Sequence, residues 1–130
     1  MTSRVARCSR GSLVVRTEGE PIRVSVCHCL DCQRRSGSAF AGQARFPEEN
    51  VRIEGATHEY VRKGSDGSAT FSFCPHCGCT VFYRRAAEPG CIAIPIGAFA
   101  DPGFPPPAIA VYHVRQHPWL TLADTIEQYE

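Results

Sequence analysis

Apolar and polar residues alternate in short runs along most of this chain, with the period of two that half-buried β-strands require. The first run is Ser12-Leu13-Val14-Val15-Arg16-Thr17, which ends at the turn formers Glu18-Gly19-Glu20-Pro21. Ile22, Val24 and Val26 then alternate with Arg23 and Ser25, predicting a strand buried on one face. Ala39 to Phe46 reads as another strand, anchored by Phe40 and Phe46. A turn at Pro47-Glu48-Glu49-Asn50 leads to a further alternating run, Val51-Arg52-Ile53-Glu54. His58 to Arg62 and Ala69 to Phe73 flank the turn-rich Lys63-Gly64-Ser65-Asp66-Gly67-Ser68 and predict a hairpin. Thr80 to Arg84 continues the series. Cys91 to Ile96 is apolar without alternation, the pattern of a strand covered on both faces. Four prolines between Asp101 and Pro107 forbid a sheet there. Ile109 to Val114 is the last predicted strand, and Trp119, Leu120 and Leu122 are expected to dock the tail.

One helical turn is expected, over Gln33-Arg34-Arg35-Ser36, opened by Asp31 as N-cap and stopped by Gly37. No long stretch carries a 3.6-residue period. The expected fold is therefore a single domain over residues 1–130, mainly β, built of several small antiparallel sheets with little helix.

Where the strand pattern breaks, cysteines gather. Cys27-His28-Cys29-Leu30-Asp31-Cys32 packs three thiols into six residues. Two thiols at i and i+2 on an extended segment point the same way, and a third at i+5 reaches the same point if Leu30 and Asp31 turn the backbone. Three sulfurs converging at ~2.3 Å on one centre suit a soft divalent metal, zinc above all. Three protein ligands leave a fourth tetrahedral position open, which is the mark of a site that admits water or substrate. His28 alternates away from Cys27 and Cys29 and is expected on the strand's other face. A second group, Cys74-Pro75-His76-Cys77-Gly78, is a metal knuckle in which Gly78 lets the backbone curl so that amide N–H groups face the sulfurs.

Charge and composition narrow the choice. A formal net charge of +1 gives no electrostatic footprint for nucleic acid. The basic start, with Arg4, Arg7 and Arg10, is followed by too short an apolar run for a signal peptide, and no stretch is long enough for a membrane span. A cytoplasmic location is the expectation. There the eight cysteines favour metal ligation over disulfides, a disulfide framework being the alternative.

The ordered set Cys27-His-Cys29-x-x-Cys32, Ser36-Gly37-Ser38-Ala39-Phe40 and Phe73-Cys74-Pro75-x-Cys77-Gly78, with His113 and Pro118-Trp119 in the tail, resembles the glutathione-dependent formaldehyde-activating enzyme (GFA) / centromere protein V-like family. The resemblance implies two zinc ions. One would be structural, on Cys8, Cys74 and Cys77, and the other catalytic, on Cys27, Cys29 and Cys32. It departs at Arg10, which falls where the family has the second cysteine of its N-terminal pair and cannot ligate. Cys79 stands where the family usually has Thr or Ser, and two readings stay open: a replacement ligand or a small core residue. Cys91, in an apolar run, is expected to be buried and inert. His76 is expected to be solvated, and His113 and His117 structural or exposed.

The resemblance further implies addition of the glutathione thiol to formaldehyde, in reverse a carbon–sulfur lyase reaction, with a small thiol and an aldehyde as partners. A free thiol is only a few per cent thiolate at neutral pH, so deprotonation on zinc gains roughly thirty-fold in thiolate. The fall of nucleophilicity with pKa, at a Brønsted slope of ~0.4–0.5, returns part of that. Positioning of both reactants must supply the rest. Glutathione carries two carboxylates, so Arg34 and Arg35, with Ser36 and Ser38, are the candidate binding residues. The rival reading is a non-catalytic zinc-ribbon-like binding module in which Cys29, Cys32, Cys74 and Cys77 close one four-thiolate site. Metal content separates the two.

Overall fold

Alternation along the chain resolves into eleven strands and one short α-helix in the computed structural model, which describes residues 1–130. Strands β1 (Ser3–Arg7), β2 (Val14–Glu18) and β5 (Val51–Glu54) form an antiparallel three-stranded sheet in the order β1-β2-β5. The remaining strands are β3 (Arg23–Cys27), β4 (Ala41–Pro47), β6 (His58–Gly64), β7 (Gly67–Phe73), β8 (Thr80–Arg85), β9 (Cys91–Pro95), β10 (Ile109–Val111) and β11 (Glu127–Gln128). They form one eight-stranded sheet in the order β11-β10-β3-β4-β9-β8-β7-β6. Pairing is antiparallel from β3 to β6, while β10 and β11 add parallel strands at the β3 edge. The mainly-β expectation holds. The short runs read as separate small sheets coalesce because β4 and β9 bridge them.

The core lies between the two sheets. Leu13 and Val15 from β2 and its approach meet Phe46, Val81, Ile92 and Ile94, all essentially removed from water. Cys8 and Cys74 belong to this same cluster. The opposite face of the large sheet carries a smaller apolar group, Ala69, Phe71, Tyr83 and Ala93, and a strip of polar side chains. This overturns the half-buried reading of β3. Val24 and Val26 face the core, but Ser25 is just as buried on the other side, and Ile22 is 64% exposed before the strand begins.

Other expectations shift for local reasons. The hairpin tightens until Gly64 pairs with Gly67, leaving only Ser65 and Asp66 as its turn. Strand β1 was not legible, because its one fully buried side chain is the small Ala6, between exposed Val5 and Arg7. Its Arg4 is held by Glu20 at 2.9 Å. Strand β10 stops at Val111, since Tyr112 takes a left-handed φ of 56° and opens a 3-10 turn, His113–Arg115. Trp119 does not dock the tail; it is 70% exposed, and β11 fastens the C-terminus instead.

Gly55 ends β5 at φ 107°, and a Cβ there would lie 2.1 Å from the carbonyl oxygen of Ser12. Gly55→Ala should cost about 2–4 kcal/mol of stability. Denaturant unfolding reads this directly, and a midpoint equal to the parent's would mean that the Ser12 backbone yields without cost.

Candidate metal centres and their cavity

The three clustered thiols are placed by a change of secondary structure. Cys27 is the last residue of β3, Cys29 is the N-cap of helix α1 (Leu30–Ser36), and Cys32 lies in its first turn. The expected N-cap, Asp31, is displaced into that turn. Cys29 keeps extended φ and ψ of −60° and 150°, and its sulfur accepts the Cys32 N–H at 3.3 Å, so the helix begins immediately after it. Gly37, at φ 71°, ends the helix as expected. The sulfurs of Cys27, Cys29 and Cys32 all lie within 4.8 Å of one another.

This trio shares its protons unevenly. The Cys32 thiol is pulled down to about 5, first by a hydrogen bond from Cys27, then by one from Cys29 and by the charges of Arg35 and Arg62. Cys27 is pushed up, chiefly because it donates to Cys32 and is buried; burial likewise raises Cys29. One negative charge therefore rests on Cys32, held by two thiols that donate to it. Three converging sulfur donors, with no carboxylate or imidazole among them, fit zinc or another thiophilic ion.

His28 points away from the trio, as the alternation requires. It is fully buried beside Phe40, with ring centroids 6.3 Å apart, and neither ring nitrogen has a hydrogen-bond partner. Burial, assisted by the charges of His113 and His117, lowers its pKa. His117 instead holds the helix, its Nε2 lying 2.8 Å from Gln33 Oε1. His113 pairs with Gln116 at 2.9 Å on the surface.

Beside the trio opens a cavity of about 450 Å³ whose far wall is the polar face of the large sheet. Of the four residues expected to bind substrate, only Arg35 lines it, its guanidinium 5.0 Å from the Phe71 ring centre and 5.4 Å from that of Tyr83. Arg34 is solvated and pairs with Asp31 at 3.7 Å. Ser36 and Ser38 close the turn after α1: Ser36 Oγ accepts the Ser38 N–H at 3.1 Å, and Ser38 Oγ accepts the Phe40 N–H at 3.5 Å. The cavity also takes in Arg23, Gln43, Arg45, Arg62 and Tyr83, which sequence reasoning missed. A usable signal existed for Arg23 alone, because it shares the parity of Cys27 on β3.

The second group joins Cys8, after β1, to the knuckle, with the sulfurs of Cys8, Cys74 and Cys77 within 4.8 Å of one another. Backbone donors serve these sulfurs as the knuckle pattern requires. Leu13 N–H reaches Cys8 at 3.3 Å and His76 N–H reaches Cys74 at 3.4 Å. Gly78, at φ 77°, turns its own N–H to the Cys74 carbonyl at 2.8 Å. Burial opposes ionisation of Cys8, yet the Leu13, Ser12, Cys77 and Cys74 hydrogen bonds outweigh it and bring the thiol down to about 6. Cys79 stands just outside this trio. Its sulfur lies 3.2 Å from Ser9 Oγ, which, more than any other group, lowers its pKa. Arg10 is solvent-exposed and His76 likewise, while Cys91 is half-buried with its thiol pushed up by burial. The cysteines fall into two separate groups, so the single four-thiolate ribbon of Cys29, Cys32, Cys74 and Cys77 is not formed.

A family model described as glutathione-dependent formaldehyde-activating enzyme matches residues 3–115. The chain belongs to that family. The match spans both cysteine groups and stops short of β11. A crystal structure of a Rhodobacter sphaeroides protein shares the fold, with a TM-score of 0.60 and 21% identity over 78% of this chain and 91% of that one. Among curated proteins, none matches the chain. No helix is long and apolar enough to cross a membrane.

The uneven protonation has a direct readout in metal-free protein. At pH 6, above the lowered value of Cys32 and below the raised values of its neighbours, limiting iodoacetamide should label Cys32 ahead of Cys27, Cys29 and Cys91. Peptide mass spectrometry orders the sites, and labelling of Cys27 first would contradict this assignment of the charge.

Proposed function

We propose that the chain holds a zinc ion at each cysteine group and adds a small thiol, glutathione, to formaldehyde or a related aldehyde at the Cys27–Cys29–Cys32 centre. The observation that carries this reading is three sulfurs, within 4.8 Å of one another, on the wall of a cavity large enough for a small peptide. Family membership supports the choice of thiol and aldehyde. The reaction breaks the thiol S–H bond, forms a carbon–sulfur bond and delivers a proton to the former carbonyl oxygen. Run backwards it is a carbon–sulfur lyase.

Zinc bound at this centre would supply a thiolate at neutral pH and a Lewis acid for the carbonyl. The chain's own residues do the remainder. Cys27, Cys29 and Cys32, all on the cavity wall, would hold the metal. Arg35 and Arg62, whose charges already favour an ionised Cys32, favour a negatively charged sulfur beside it. Tyr83 lines the same cavity, and its phenol, its pKa raised further by burial, is the hydroxyl assigned to hydrogen-bond the adduct oxygen. Orientation of the two reactants is where acceleration has to come from, since activation of the thiol alone is worth about one kcal/mol.

The second zinc is structural in this reading, on Cys8, Cys74 and Cys77 with Cys79 as the fourth thiolate. A closed site needs four donors. Cys79 stands beside the trio, its sulfur 3.2 Å from Ser9 Oγ, and is the thiol that would supply the fourth donor.

Zinc-loaded protein is expected to carry two metal ions per chain and to release heat on titration with glutathione. Cys27→Ser should remove one metal and the glutathione heat while leaving the unfolding midpoint close to the parent's. Glutathione heat that survives in Cys27→Ser would overturn the assignment of the site. Cys79→Ser should lose the other metal to a chelator about tenfold or more faster, with a lowered unfolding midpoint. Unchanged release would return Cys79 to the role of a core residue.

A further inference from the structure

Strand β6 is the outer strand of the eight-stranded sheet and pairs with β7 alone. An open edge as long as His58–Gly64 is normally blunted by a proline, a bulge or a covering element, because its free N–H and C=O groups invite another strand. This one has no proline, its ladder with β7 runs without a register shift, and every residue but Arg62 is exposed. Tyr60 is 62% and Val61 50% exposed. The other edges are shorter: β11 has two residues, β5 four and β1 five.

The hairpin fixes which main-chain groups face outward. Its ladder closes with Gly64 opposite Gly67 across a two-residue turn, the pair that exchanges both hydrogen bonds in such a hairpin. The Ser68 carbonyl fits this phase, since it accepts the Ala86 N–H at 2.9 Å on the β8 side. By alternation, Tyr60, Arg62 and Gly64 direct their polar groups to β7, while Glu59, Val61 and Lys63 turn theirs to the open edge. Side chains divide by the same parity. Tyr60 and Arg62 share the cavity face with Phe71, whose ring centre lies 4.9 Å from the Arg62 guanidinium. Glu59, Val61 and Lys63 stand on the other face. Neither Glu59 nor Lys63 has an ion-pair partner within the chain.

The charges along this edge complement their own reversal. Antiparallel pairing of β6 with a second β6 about Val61 sets Glu59 opposite Lys63 on both sides of the axis, and Tyr60 opposite Arg62. The outward groups of Glu59, Val61 and Lys63 then fall into hydrogen-bonded pairs. The nearest alternative registers of the same phase are poorer. One places Arg62 against Arg62, and the other places Glu59 against Val61. We infer that β6 pairs with β6 of a second copy of this chain, about a two-fold axis at Val61, joining two eight-stranded sheets into one. Tyr60 of each copy then stands beside Arg62 of the other, so each copy adds an aromatic side chain to the other's cavity wall. The pairing requires neither metal nor thiol.

Sedimentation velocity of the full chain tests the pairing. The parent at about 100 μM should sediment with twice the mass of one chain. Val61→Pro removes an outward N–H and leaves the ladder to β7 intact, so it should give single chains at that concentration with an unfolding midpoint close to the parent's. Glu59→Lys and Lys63→Glu each set like charges opposite one another, and each should weaken association about tenfold or more. Mixed in equal amounts, the two variants restore opposite charges at both positions, and pairs containing one chain of each should form. A parent that stays single at about 100 μM overturns the inference. So does association that survives Val61→Pro, or that takes no notice of the two charge reversals. Should Val61→Pro not fold, the mixture decides, because Glu59 and Lys63 are exposed on the strand. Variants that associate no better together than apart would place any contact between copies elsewhere and sink the pairing of β6 with itself.

Discussion

Everything at the candidate centre follows from one junction, where β3 ends at Cys27 and α1 begins at Leu30 with only His28 and Cys29 between them. Cys29 is still extended, so its side chain points with that of Cys27, and it already caps the helix, so its sulfur receives the Cys32 N–H at 3.3 Å. A strand alone would spread the three thiols along 17 Å or so of chain. A helix alone would scatter the first two around its axis. Only the switch between them brings three sulfurs to one point, and Gly37 at φ 71° ends the helix after about two turns and returns the chain to β4. The concentration of negative charge on Cys32 is a product of that convergence, since two neighbouring thiols and two guanidinium groups all favour it.

The same sheet serves two purposes because its faces are unlike. Toward the three-stranded sheet it presents Phe46, Val81, Ile92 and Ile94, which supply the hydrophobic stabilisation of a small domain. Away from it lie Arg23, Ser25, Gln43 and Arg45, where burial of polar groups is unfavourable unless each finds a partner. Arg45 finds Glu88 and Ser25 within the chain. Arg23 on this face and Arg35 above it do not, and the Nε of each is buried beside the cavity without a hydrogen-bond partner.

The second cysteine group belongs to the stabilising side of this division. Cys8 and Cys74 are members of the main core cluster, with Leu13 and Val15 packed in the same group. Ser12 ties loop to knuckle, its Oγ 3.3 Å from the Cys74 sulfur, and Gly55 lies against its carbonyl. The group stands where the end of β1 meets the end of β7, segments far apart in sequence that are costly to bring together.

Much was fixed by the residues themselves. Alternation gave the mainly-β class, the bounds of β5 and the existence of the hairpin, because a strand's period is local. Spacing gave the Cys27–Cys29–Cys32 group and the Cys74–Cys77 knuckle, because Cys-x-Cys-x-x-Cys and Cys-x-x-Cys converge by short-range geometry; Cys8 came from the family resemblance. Strand β1 was hidden by burying only the small Ala6, and Trp119 misled, because burial of a single side chain depends on what other segments bring to it. The assembly of the cavity was decided by tertiary structure alone. Arg62 on β6 and Tyr83 on β8 are far in sequence from Cys32, and only the order of strands across the sheet, with Arg35 laid over Phe71 and Tyr83, sets them around one space. Local periodicity records which way a side chain points; it holds no record of which distant side chain it will meet.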